Sequence, residues 1–408
     1  MKIAIMGCGV VGSGVYEIVR DMSERLYKGC SDEISVKYIL DKKNLDEEKK
    51  ALQINDINII ANDPEVGVVV EAMGGINPAF DFCLKCLNSG KSVVSSNKQL
   101  VAEKGEELFE AAKKNNVSFR FGASVCGGIP VIRTLFYGLA ANDISSFEGI
   151  LNGTSNFILT KMIKDKMTNS AALKLAQENG YAEKDPTDDI EGYDAARKTA
   201  ILCSVCFGKH IYPDEIRTEG ITGISSEDVE YVDSFGAKIK LIGRGKRLEN
   251  GKIYAVTAPA VIDGNDLISG VEGVFNAVKI KGNKVGEVFL YGPGAGKDAT
   301  AGAVVADVLD CVRAPGFDST YSWKNGTKND VLKFDEYETS LYVRGYVKDK
   351  NRAVSAIREN FDEVKFLSRN NAPENEIAFL TEKKKEKDLR TAIDFIDGFT
   401  PATVIRVN

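Results

Sequence analysis

The glycine pattern at the start of the chain constrains the fold more than any other feature. A short apolar segment, residues 2–7, runs into GCGVVG, and a helical pattern then continues to about residue 20. This is the phosphate-binding turn of a Rossmann unit: the first glycine permits a tight turn, the second lets backbone approach a pyrophosphate, and the third lets the helix pack on the strand. The residues expected to hold a dinucleotide here are Gly7, Gly9, Val10, Val11 and Gly12.

The pattern that follows predicts a parallel, doubly wound α/β sheet, because strands alternate with helices. Strands are predicted at 34–40, 66–72, 92–96 and 117–124, and helices at about 78–89 and 101–115. Ligands of such sheets bind beyond the carboxyl ends of the strands, where the turns 71–75, 95–98 and 125–130 fall. The candidate cofactor residues in these turns are Gly74, Ser95, Asn97 and Lys98.

Asp41 ends the second predicted strand and bears on the choice of nicotinamide cofactor. A carboxylate there suits the adenine ribose hydroxyls and repels a 2'-phosphate, which favours NAD over NADP. Lys42 and Lys43 follow at once and could instead hold that phosphate. A turn residue at the end of a strand explains Asp41 equally well. The sequence therefore leans towards NAD without deciding.

The rest of the chain predicts two further domains. Longer helices and then strands indicate a mixed α+β second domain, in which the glycine loop YGPGAG (291–296) leads into an alanine-rich helix. This loop is not a Walker A motif, because its glycine spacing is one residue short and Asp298 replaces Ser or Thr. Gly292 and Gly294 could approach a nicotinamide. The last 70 or so residues alternate as strand, helix, strand, strand, helix, strand, a ferredoxin-like βαββαβ unit that resembles an ACT domain.

The predicted division is thus a NAD(P)-binding Rossmann domain at 1–130, completed by a helix at about 300–315, a mixed α+β domain at 131–300, and an ACT-like domain at 335–408. Each part is long enough to bury a core.

Composition points to a small-molecule enzyme of the cytoplasm. The formal net charge is -6, without a long basic run, so neither nucleic acid nor a membrane surface is an expected partner. No stretch reaches the ~20 apolar residues that span a bilayer. Eight cysteines are expected as reduced thiols. The CxxC pairs Cys83/Cys86 and Cys203/Cys206 lie in helical apolar patterns, where they are predicted to share a buried face rather than bind zinc.

An acidic segment at 179–198 places six carboxylates in twenty positions. It could be a calcium loop, a solvated loop, or a pocket for a cation such as a substrate ammonium group. Counted from Asp185, the sixth and twelfth positions of an EF-hand are Ile190 and Ala196 rather than Gly and Glu, which argues against calcium. The other two interpretations stay open on the residues alone.

Several long segments carry a resemblance to a known family. They include VVEAMGGINPA, GKSVVSSNKQLVA, GILNGTSNFIL, GYAEKDPTDDIEGYDAARKTAIL and YGPGAGKDATAGAVVADVLD. From residue 2 to about 310 the chain resembles homoserine dehydrogenase, which interconverts L-homoserine and L-aspartate 4-semialdehyde with NAD or NADP. The resemblance implies a place in threonine, methionine and isoleucine biosynthesis, a homodimer or homotetramer, and an amino-acid effector. It makes 131–300 the homoserine-binding catalytic and dimerisation domain and 335–408 the regulatory domain.

The resemblance assigns the acidic segment to the substrate, whose ammonium group is costly to bury unless carboxylates meet it. It maps substrate binding onto Glu183 and places Asp189 and Asp194 near the same pocket. Thr154 and Asn156 could bond the substrate carboxylate or the cofactor, although a helix N-cap explains them nearly as well.

Lys198 is the acid/base that the resemblance implies, with Asp194 as its partner. The two are spaced i, i+4 and so share a helix face, and apolar residues beyond them suggest a buried end. A desolvated lysine loses pKa, and a carboxylate orients it. Lys98, which matches a family lysine beside the nicotinamide and substrate, is the second acid/base candidate or the group that polarises the reacting oxygen, and the sequence does not rank the two lysines. The single histidine, His210, is expected at a helix end, in a dipole role.

Two departures from the family bear on its other ligands. A sodium or potassium ion is implied at the backbone of Gly122, Val125, Gly127 and Ile129, but Gly122 stands where family members commonly have Glu. In the last domain Asn351 and Arg352 replace the usual proline and glycine, which weakens the expectation of feedback by threonine. The alternatives to the family are another Rossmann amino-acid dehydrogenase and a non-catalytic amino-acid sensor.

Overall fold

A computed structural model describes residues 1–22, 34–327 and 329–408 of the chain. The chain separates into two compact units, each formed from three segments. Unit 1 comprises Met1–Ser145, Ala200–Pro213 and Lys281–Thr327, and unit 2 comprises Ser146–Thr199, Asp214–Ile280 and Lys328–Asn408. The boundaries of these two units differ from those of the three predicted domains, so the three-domain division stays a prediction.

Unit 1 contains the parallel sheet that the glycine motif predicts. Its strand order is β3-β2-β1-β4-β5-β6, and every pairing is parallel, which confirms the doubly wound fold. The strands are β1 (Lys2–Met6), β2 (Ser35–Leu40), β3 (Gln53–Ile54), β4 (Val66–Glu71), β5 (Ser92–Ser95) and β6 (Phe119–Arg120). The central strands β1 and β4 are almost wholly buried, as expected where helices cover both faces.

Helices surround this sheet. Those described in unit 1 are α1 (Val10–Asp21), α2 (Glu47–Lys50), α3 (Ile57–Asn62), α4 (Ala79–Asn88), α5 (Lys98–Lys114), α6 (Val131–Arg133) and α12 (Lys297–Arg313), and β12 (Gly286–Pro293) precedes α12. Helix α12 packs closely on α1, because a Cβ on Gly14 would lie 2.8 Å from the Cβ of Ala301. Lys297 on α12 also donates to the carboxylate of Glu17 on α1, at 2.6 and 2.7 Å.

One predicted strand is much shorter than expected. The segment 117–124 was predicted to be extended throughout, but β6 covers only Phe119–Arg120, and Gly122–Ser124 form a 3-10 turn. The chain leaves the sheet because the amide of Gly122 donates to the carboxylate of Asp307 on α12, at 2.7 Å, rather than to a neighbouring strand.

Unit 2 is built on a mixed sheet. Its strands follow the order β11-β7-β9-β10-β17-β13-β15-β14. They are β7 (Ile144–Ile150), β9 (Ala237–Arg247), β10 (Ile253–Asp263), β11 (Phe275–Gly282), β13 (Glu338–Val347), β14 (Val364–Leu367), β15 (Glu376–Thr381) and β17 (Phe399–Val407), with the short strands β8 (Arg217–Thr218) and β16 (Lys384–Lys385) beside β10 and β13.

The helices described in unit 2 lie between these strands. They are α7 (Gly153–Lys164), α8 (Asn169–Glu178), α9 (Thr187–Ile190), α11 (Ser226–Asp233), α13 (Lys350–Asn360) and α14 (Glu386–Asp394). Helix α10 (Tyr193–Phe207) begins in unit 2 and ends in unit 1.

The last seventy residues form the predicted βαββαβ unit. The elements β13, α13, β14, β15, α14 and β17 follow one another, and their sheet order β17-β13-β15-β14 is the ferredoxin-like arrangement. Its outer strand β17 also pairs in parallel with β10, through Ala260 with Arg406 and Val261 with Val407. The fold is therefore confirmed, while the likeness to an ACT domain stays a prediction.

The cysteine pairs lie where the helical pattern places them. Cys83 and Cys86 are buried on α4, and Cys203 and Cys206 are buried on α10. Burial raises the pKa of the Cys86 thiol to about 12, so this thiol stays protonated. Among the described residues, no helix is long and apolar enough to cross a membrane.

Candidate active site

The glycine turn of unit 1 has the shape that a pyrophosphate requires. Gly7 has a positive φ of 89°, and a Cβ on Gly12 would lie 1.9 Å from the carbonyl oxygen of Gly7. A Cβ on Gly9, in contrast, would meet nothing within 4 Å. Val10, the first residue of α1, is 68% exposed. Space thus opens in front of the helix N-terminus, where amides and the helix dipole favour an anion.

Asp41 is bound to this turn and to its own strand end. One carboxylate oxygen accepts the amide of Cys8 at 2.7 Å, and the other accepts the amide of Lys43 at 2.9 Å. The turn role that the sequence allowed is therefore present. The half-buried carboxylate also fixes the glycine turn relative to β2, which bears directly on where a nucleotide would sit.

A buried carboxylate that was not among the predicted site residues connects the next two strand ends. Glu71, the last residue of β4, accepts the amides of Met73 and Gly74 at 2.8 and 3.3 Å and the Ser95 hydroxyl at 2.5 Å. The Asn97 side chain donates to the carbonyl of Gly75 at 2.5 Å. Burial raises the pKa of Glu71, although its hydrogen bonds oppose that shift. The signal was a single charged residue closing an apolar strand.

These contacts bring the predicted residues Gly74, Ser95 and Asn97 together at one sheet edge. The Asn97 side chain also caps α5 by accepting the amide of Leu100 at 3.1 Å. Lys98 follows as the first residue of α5 and is half-buried. The order of strand, turn and cap thus places a lysine at the carboxyl ends of the strands, as the fold rule for ligands predicts.

The turn at 122–130 and the loop at 291–296 are in contact with each other. Gly127 has a positive φ of 34°, and a Cβ on it would lie 2.8 Å from the carbonyl oxygen of Gly294. The amide of Gly128 donates to the carbonyl of Pro293 at 3.2 Å. Gly292 is half-buried beside Ile129, whose carbonyl accepts the amide of Val131 at 2.7 Å.

A second carboxylate, Asp307, lies where a Gly122 side chain would extend. A Cβ on Gly122 would be 3.0 Å from both of its carboxylate oxygens. Burial raises the pKa of Asp307 to about 7, against the hydrogen bond from Gly122. Neither Asp307 nor its position could be inferred locally, because 185 residues separate the two partners.

In unit 2 the lysine and aspartate of the acidic segment form a buried ion pair. Lys198 and Asp194 are only 9% and 4% exposed, and the ammonium nitrogen Nζ lies 2.7 Å from Asp194 Oδ2. The same Nζ donates to the carbonyl of Leu151 at 2.8 Å. The helix face that carries both residues is turned inward, as the apolar residues beyond them predicted.

Asn152, at the junction of β7 and α7, completes this cluster. Its amide nitrogen Nδ2 donates to Asp194 Oδ2 at 2.9 Å and to Asp189 Oδ1 at 2.6 Å. Its amide oxygen caps α7 by accepting the amide of Ser155 at 2.8 Å. Burial raises the pKa of Asp189, as does the charge of Asp194, while the hydrogen bond from Asn152 lowers it. The N-cap offered for Thr154 and Asn156 falls on Asn152 instead, and nothing in the local sequence indicates its bridge to Asp189 and Asp194.

The other substrate candidates are placed differently. The Thr154 hydroxyl donates to the carbonyl of Tyr181 at 2.7 Å, which ties α7 to the acidic segment. Asn156 is buried and donates to the carbonyls of Val271, Gly273 and Phe275, at 3.0 to 3.3 Å. Glu183 is exposed in the segment between α8 and α9. Thus Asp189, Asp194 and Lys198 lie together, whereas Asn156 is bonded to backbone elsewhere.

The remaining acids of the segment have ordinary local roles. Asp185 accepts the amide and hydroxyl of Thr187 at the start of α9, at 3.2 and 2.6 Å. Asp188 pairs with Arg197 on the surface at 2.6 Å. His210 is buried in unit 1, where Nδ1 accepts the Trp323 indole at 3.0 Å and Nε2 lies 2.9 Å from the carbonyl of Ala102. Burial lowers the pKa of this histidine, and its role at a helix end stays a prediction.

Comparison with known proteins identifies the family. The sequence profile described as "Homoserine dehydrogenase, NAD binding domain" matches residues 7–122, and the profile described as "Homoserine dehydrogenase" matches residues 130–309. The chain belongs to the homoserine dehydrogenase family. It is an NAD(P)-dependent oxidoreductase that interconverts L-homoserine and L-aspartate 4-semialdehyde, a small-molecule reaction of amino-acid biosynthesis.

Individual homoserine dehydrogenases match most or all of the chain. The enzyme of Neisseria gonorrhoeae is 36% identical, and the match covers 100% of this chain and 98% of that protein. The crystal structure of the Thiobacillus denitrificans enzyme superposes with a TM-score of 0.90 at 34% identity, covering 100% of this chain and 98% of the other. A hyperthermophilic archaeal homoserine dehydrogenase in complex with NADPH is 27% identical, with a TM-score of 0.65 over 78% of this chain and 99% of the other.

Proposed function

We propose that Lys198 moves the proton in this reaction and that Asp194 holds it in place. The observation that carries the proposal is the buried pair itself, in which Nζ lies 2.7 Å from Asp194 Oδ2 and 2.8 Å from the Leu151 carbonyl. Two acceptors fix the ammonium group, and burial favours loss of its proton. A lysine in these surroundings is suited to acid/base work near neutral pH.

The two directions of the reaction use the same lysine. In homoserine oxidation, neutral Lys198 takes the proton of the substrate hydroxyl while the C4 hydrogen leaves as hydride, and a C=O bond replaces the C–O and C–H bonds. In reduction of the semialdehyde, the ammonium form returns the proton to the developing alkoxide. The bound nicotinamide cofactor accepts or supplies the hydride. Lys98 is proposed as the second candidate, in the role of polarising the reacting oxygen.

The carboxylates beside Lys198 suit the ammonium group of homoserine. Asp189 is half-buried and shares the Asn152 amide with Asp194, so negative charge is concentrated at the end of α9. An ammonium group would relieve the repulsion between these carboxylates. The exposed Glu183 is proposed as a further partner for the amino group, and Thr154 as a partner for the substrate carboxylate. Asn156 is assigned a structural role, because its amide is committed to backbone carbonyls.

The cofactor loop supports a dinucleotide, and its preference is proposed to lean towards NAD. Gly7, Gly9, Val10, Val11 and Gly12 would hold the pyrophosphate at the N-terminus of α1. Asp41 would face the adenine ribose and disfavour a 2'-phosphate. The archaeal relative bound to NADPH argues for testing both cofactors.

Other ligands are proposed on the resemblance. The backbone of Gly122, Val125, Gly127 and Ile129 would bind a sodium or potassium ion, in a turn whose left-handed residues Cys126 and Gly127 bring successive backbone groups round. We also propose a homodimer or homotetramer, and an amino-acid effector that binds the ACT-like domain at 335–408.

The experiment compares Lys198→Ala with a matched control. Reduction of NAD and of NADP by L-homoserine is followed at the nicotinamide absorbance, from pH 6 to pH 10. Loss of the general base should lower kcat by about 10²- to 10⁴-fold, with the pH-dependent limb of the profile lost. Lys161→Ala removes the lysine of an exposed i, i+4 pair with Asp165 on α7, at 2.8 Å, and should leave kcat unchanged.

A Lys98→Ala variant separates the two lysines. If Lys198 is the acid/base, Lys98→Ala lowers kcat but keeps the pH-dependent limb. Retention of that limb in Lys198→Ala, together with its loss in Lys98→Ala, would reverse the assignment. The ratio of the wild-type rates with NAD and NADP settles the cofactor preference proposed from Asp41.

A further inference from the structure

We propose that Asn152 is a positioning residue for the reaction: its side-chain amide holds the Asp194 carboxylate that in turn holds Lys198. The inference deepens the proposed function and rests on the role given there to Lys198. Asn152 comes from the β7–α7 junction and lies 42 residues before Asp194 in the sequence, so the link exists only in the folded chain.

The orientation of the Asn152 amide follows from its partners. Carboxylates only accept hydrogen bonds, so the NH2 group must face Asp189 and Asp194, at 2.6 and 2.9 Å. The carbonyl oxygen then faces the amide of Ser155, at 2.8 Å. A flipped amide would bring oxygen against two carboxylates and hydrogen against hydrogen. Both donors and the acceptor are therefore used, and the group cannot rotate without losing three hydrogen bonds.

One atom joins the amide to the lysine. Asp194 Oδ2 accepts from Asn152 Nδ2 at 2.9 Å and from Lys198 Nζ at 2.7 Å. The residue before Asn152 supplies the other acceptor for Nζ, the Leu151 carbonyl, at 2.8 Å. Two successive residues at the end of β7 thus fix the lysine, one directly and one through the aspartate. A strand end is a rigid support for such a group.

The charges around Lys198 give the amide a second effect. The charged groups that face it include Asp194 on its own helix and Asp189 on α9, while Leu151 and Asn152 present neutral dipoles from the β7–α7 junction. Because Asn152 donates to the oxygen that Lys198 uses, it competes with the ammonium for that lone-pair density. Removing this donor strengthens the lysine–aspartate pair and favours the charged lysine. The neutral form needed to oxidise homoserine becomes scarcer.

Both decisive variants keep the helix cap. Asn152→Ser removes the amide donors without adding charge, and Asn152→Asp removes them and adds a negative charge. Asn152→Asp and Asn152→Ser both retain a good N-cap for α7, because Asp and Ser accept the Ser155 amide as Asn does. Neither can donate to both carboxylates. With homoserine at saturation, we expect kcat at pH 7.5 to fall about 10- to 100-fold in Asn152→Ser and further in Asn152→Asp. The basic midpoint of the kcat profile should move up by about half a pH unit or more, with a smaller change in KM.

The matched control is Ser155→Ala. It removes a hydroxyl that donates to the backbone carbonyl of Asn152 at 3.2 Å in the same cap. The two hydrogen bonds from the Asn152 side chain to the carboxylates stay in place. The melting temperature of this control is compared with that of Asn152→Ser, and its pH midpoint should equal that of the wild type. Equal losses of kcat and equal pH midpoints in Ser155→Ala and Asn152→Ser would show a cap role only and overturn the proposal, as would a serine variant within twofold of wild type.

A readout without turnover separates this inference from the proposed function. Competitive acylation followed by mass spectrometry gives the pH midpoint of Lys198 itself in each folded protein. A midpoint that rises in Asn152→Ser, which adds no charge, supports the positioning role even if Lys98 proves to be the acid/base; the added carboxylate of Asn152→Asp should raise the midpoint further. If the midpoint does not move in Asn152→Ser, the positioning role is wrong, whatever the activity of Lys198→Ala.

Discussion

At the scale of single residues, two glycines of the same motif are present for different reasons. Gly12 has no room for a side chain inside the protein, since its Cβ would lie 1.9 Å from the Gly7 carbonyl oxygen. Gly9 has open space instead, with nothing within 4 Å of a Cβ. Gly12 is thus required by the fold of the chain, and Gly9 by whatever approaches the loop.

This contrast predicts opposite results for two alanine substitutions. Gly12→Ala should lower the free energy of unfolding by about 1–3 kcal/mol, because the methyl group meets backbone that cannot move aside. Gly9→Ala should leave stability within about 0.5 kcal/mol of wild type and weaken NAD(P) binding at least about 10-fold. Urea unfolding and cofactor titration by fluorescence measure the two effects. Unchanged affinity in Gly9→Ala would mean that the pyrophosphate does not lie over this residue.

At the scale of elements, helix α5 contains a glycine that serves packing rather than binding. Gly105 lies under the indole of Trp323, where a Cβ would be 2.6 Å from a ring carbon. The ring cannot retreat, because it contacts Phe109 and Phe121 with centroids 4.9 and 5.2 Å away and donates to His210. The missing side chain is therefore what lets this aromatic cluster close on the helix.

Gly105→Ala should destabilise the protein although alanine is the better helix former. Helix propensity favours the change by about 1 kcal/mol, whereas overpacking of a closed cluster costs about 1–3 kcal/mol, so we expect a net loss. Gly302→Ala, in α12, is the control, since a Cβ there meets nothing within 4 Å and the propensity gain should raise stability. Fluorescence of the single tryptophan, Trp323, reports both unfolding transitions. Equal stabilisation by both substitutions would show that the indole yields.

The elements also show what sequence could and could not predict. Periodic patterns located the parallel sheet, the βαββαβ order and the helix that carries Asp194 and Lys198, because these depend on local periodicity. The sequence could not place Asn152 beside Asp194 or Asp307 beside Gly122, since each pair is far apart along the chain and is joined only by packing. Strand β6 was overestimated for the same reason: a distant carboxylate takes the Gly122 amide.

At the scale of the whole molecule, a charge cluster within unit 2 joins the C-terminal strand to the rest of that unit. Arg406 on β17 is 3% exposed and bonds Glu219 at 2.8 Å and Glu386 at 2.7 Å. Gly220, which follows Glu219, packs on the carbonyl of Ile190 at the end of α9, and the amide of Ile221 donates to that carbonyl at 2.7 Å. A continuous series of contacts within unit 2 thus leads from the end of the chain to the acidic segment.

Replacing Arg406 should therefore be costly in a way that depends on pH. Arg406→Met keeps much of the buried bulk but removes one of the two arginines that each carboxylate contacts, leaving Glu219 with Arg217 and Glu386 with Arg390. The remaining arginines are more exposed than Arg406, so we expect a loss of about 3 kcal/mol at pH 7, the lower end for a broken buried pair. Arg352→Met, which breaks the exposed pair with Asp397, should cause no measurable change. Both are measured by urea unfolding.

The pH dependence distinguishes loss of charge from loss of packing. Burial alone would raise the pKa of Glu219, but the hydrogen bond and charge of Arg406, followed by the hydrogen bond of Arg217 and the charge of Arg390, lower it from 4.5 to about 2. A carboxylate with a lowered folded-state pKa contributes stability above pH 4.5 and loses it as the pH falls towards 2. The difference in unfolding free energy between wild type and Arg406→Met should shrink across that window. A difference that stays constant from pH 7 to pH 3 would show that Arg406 acts through its packed stem, and that the charge cluster does not hold the C-terminal strand.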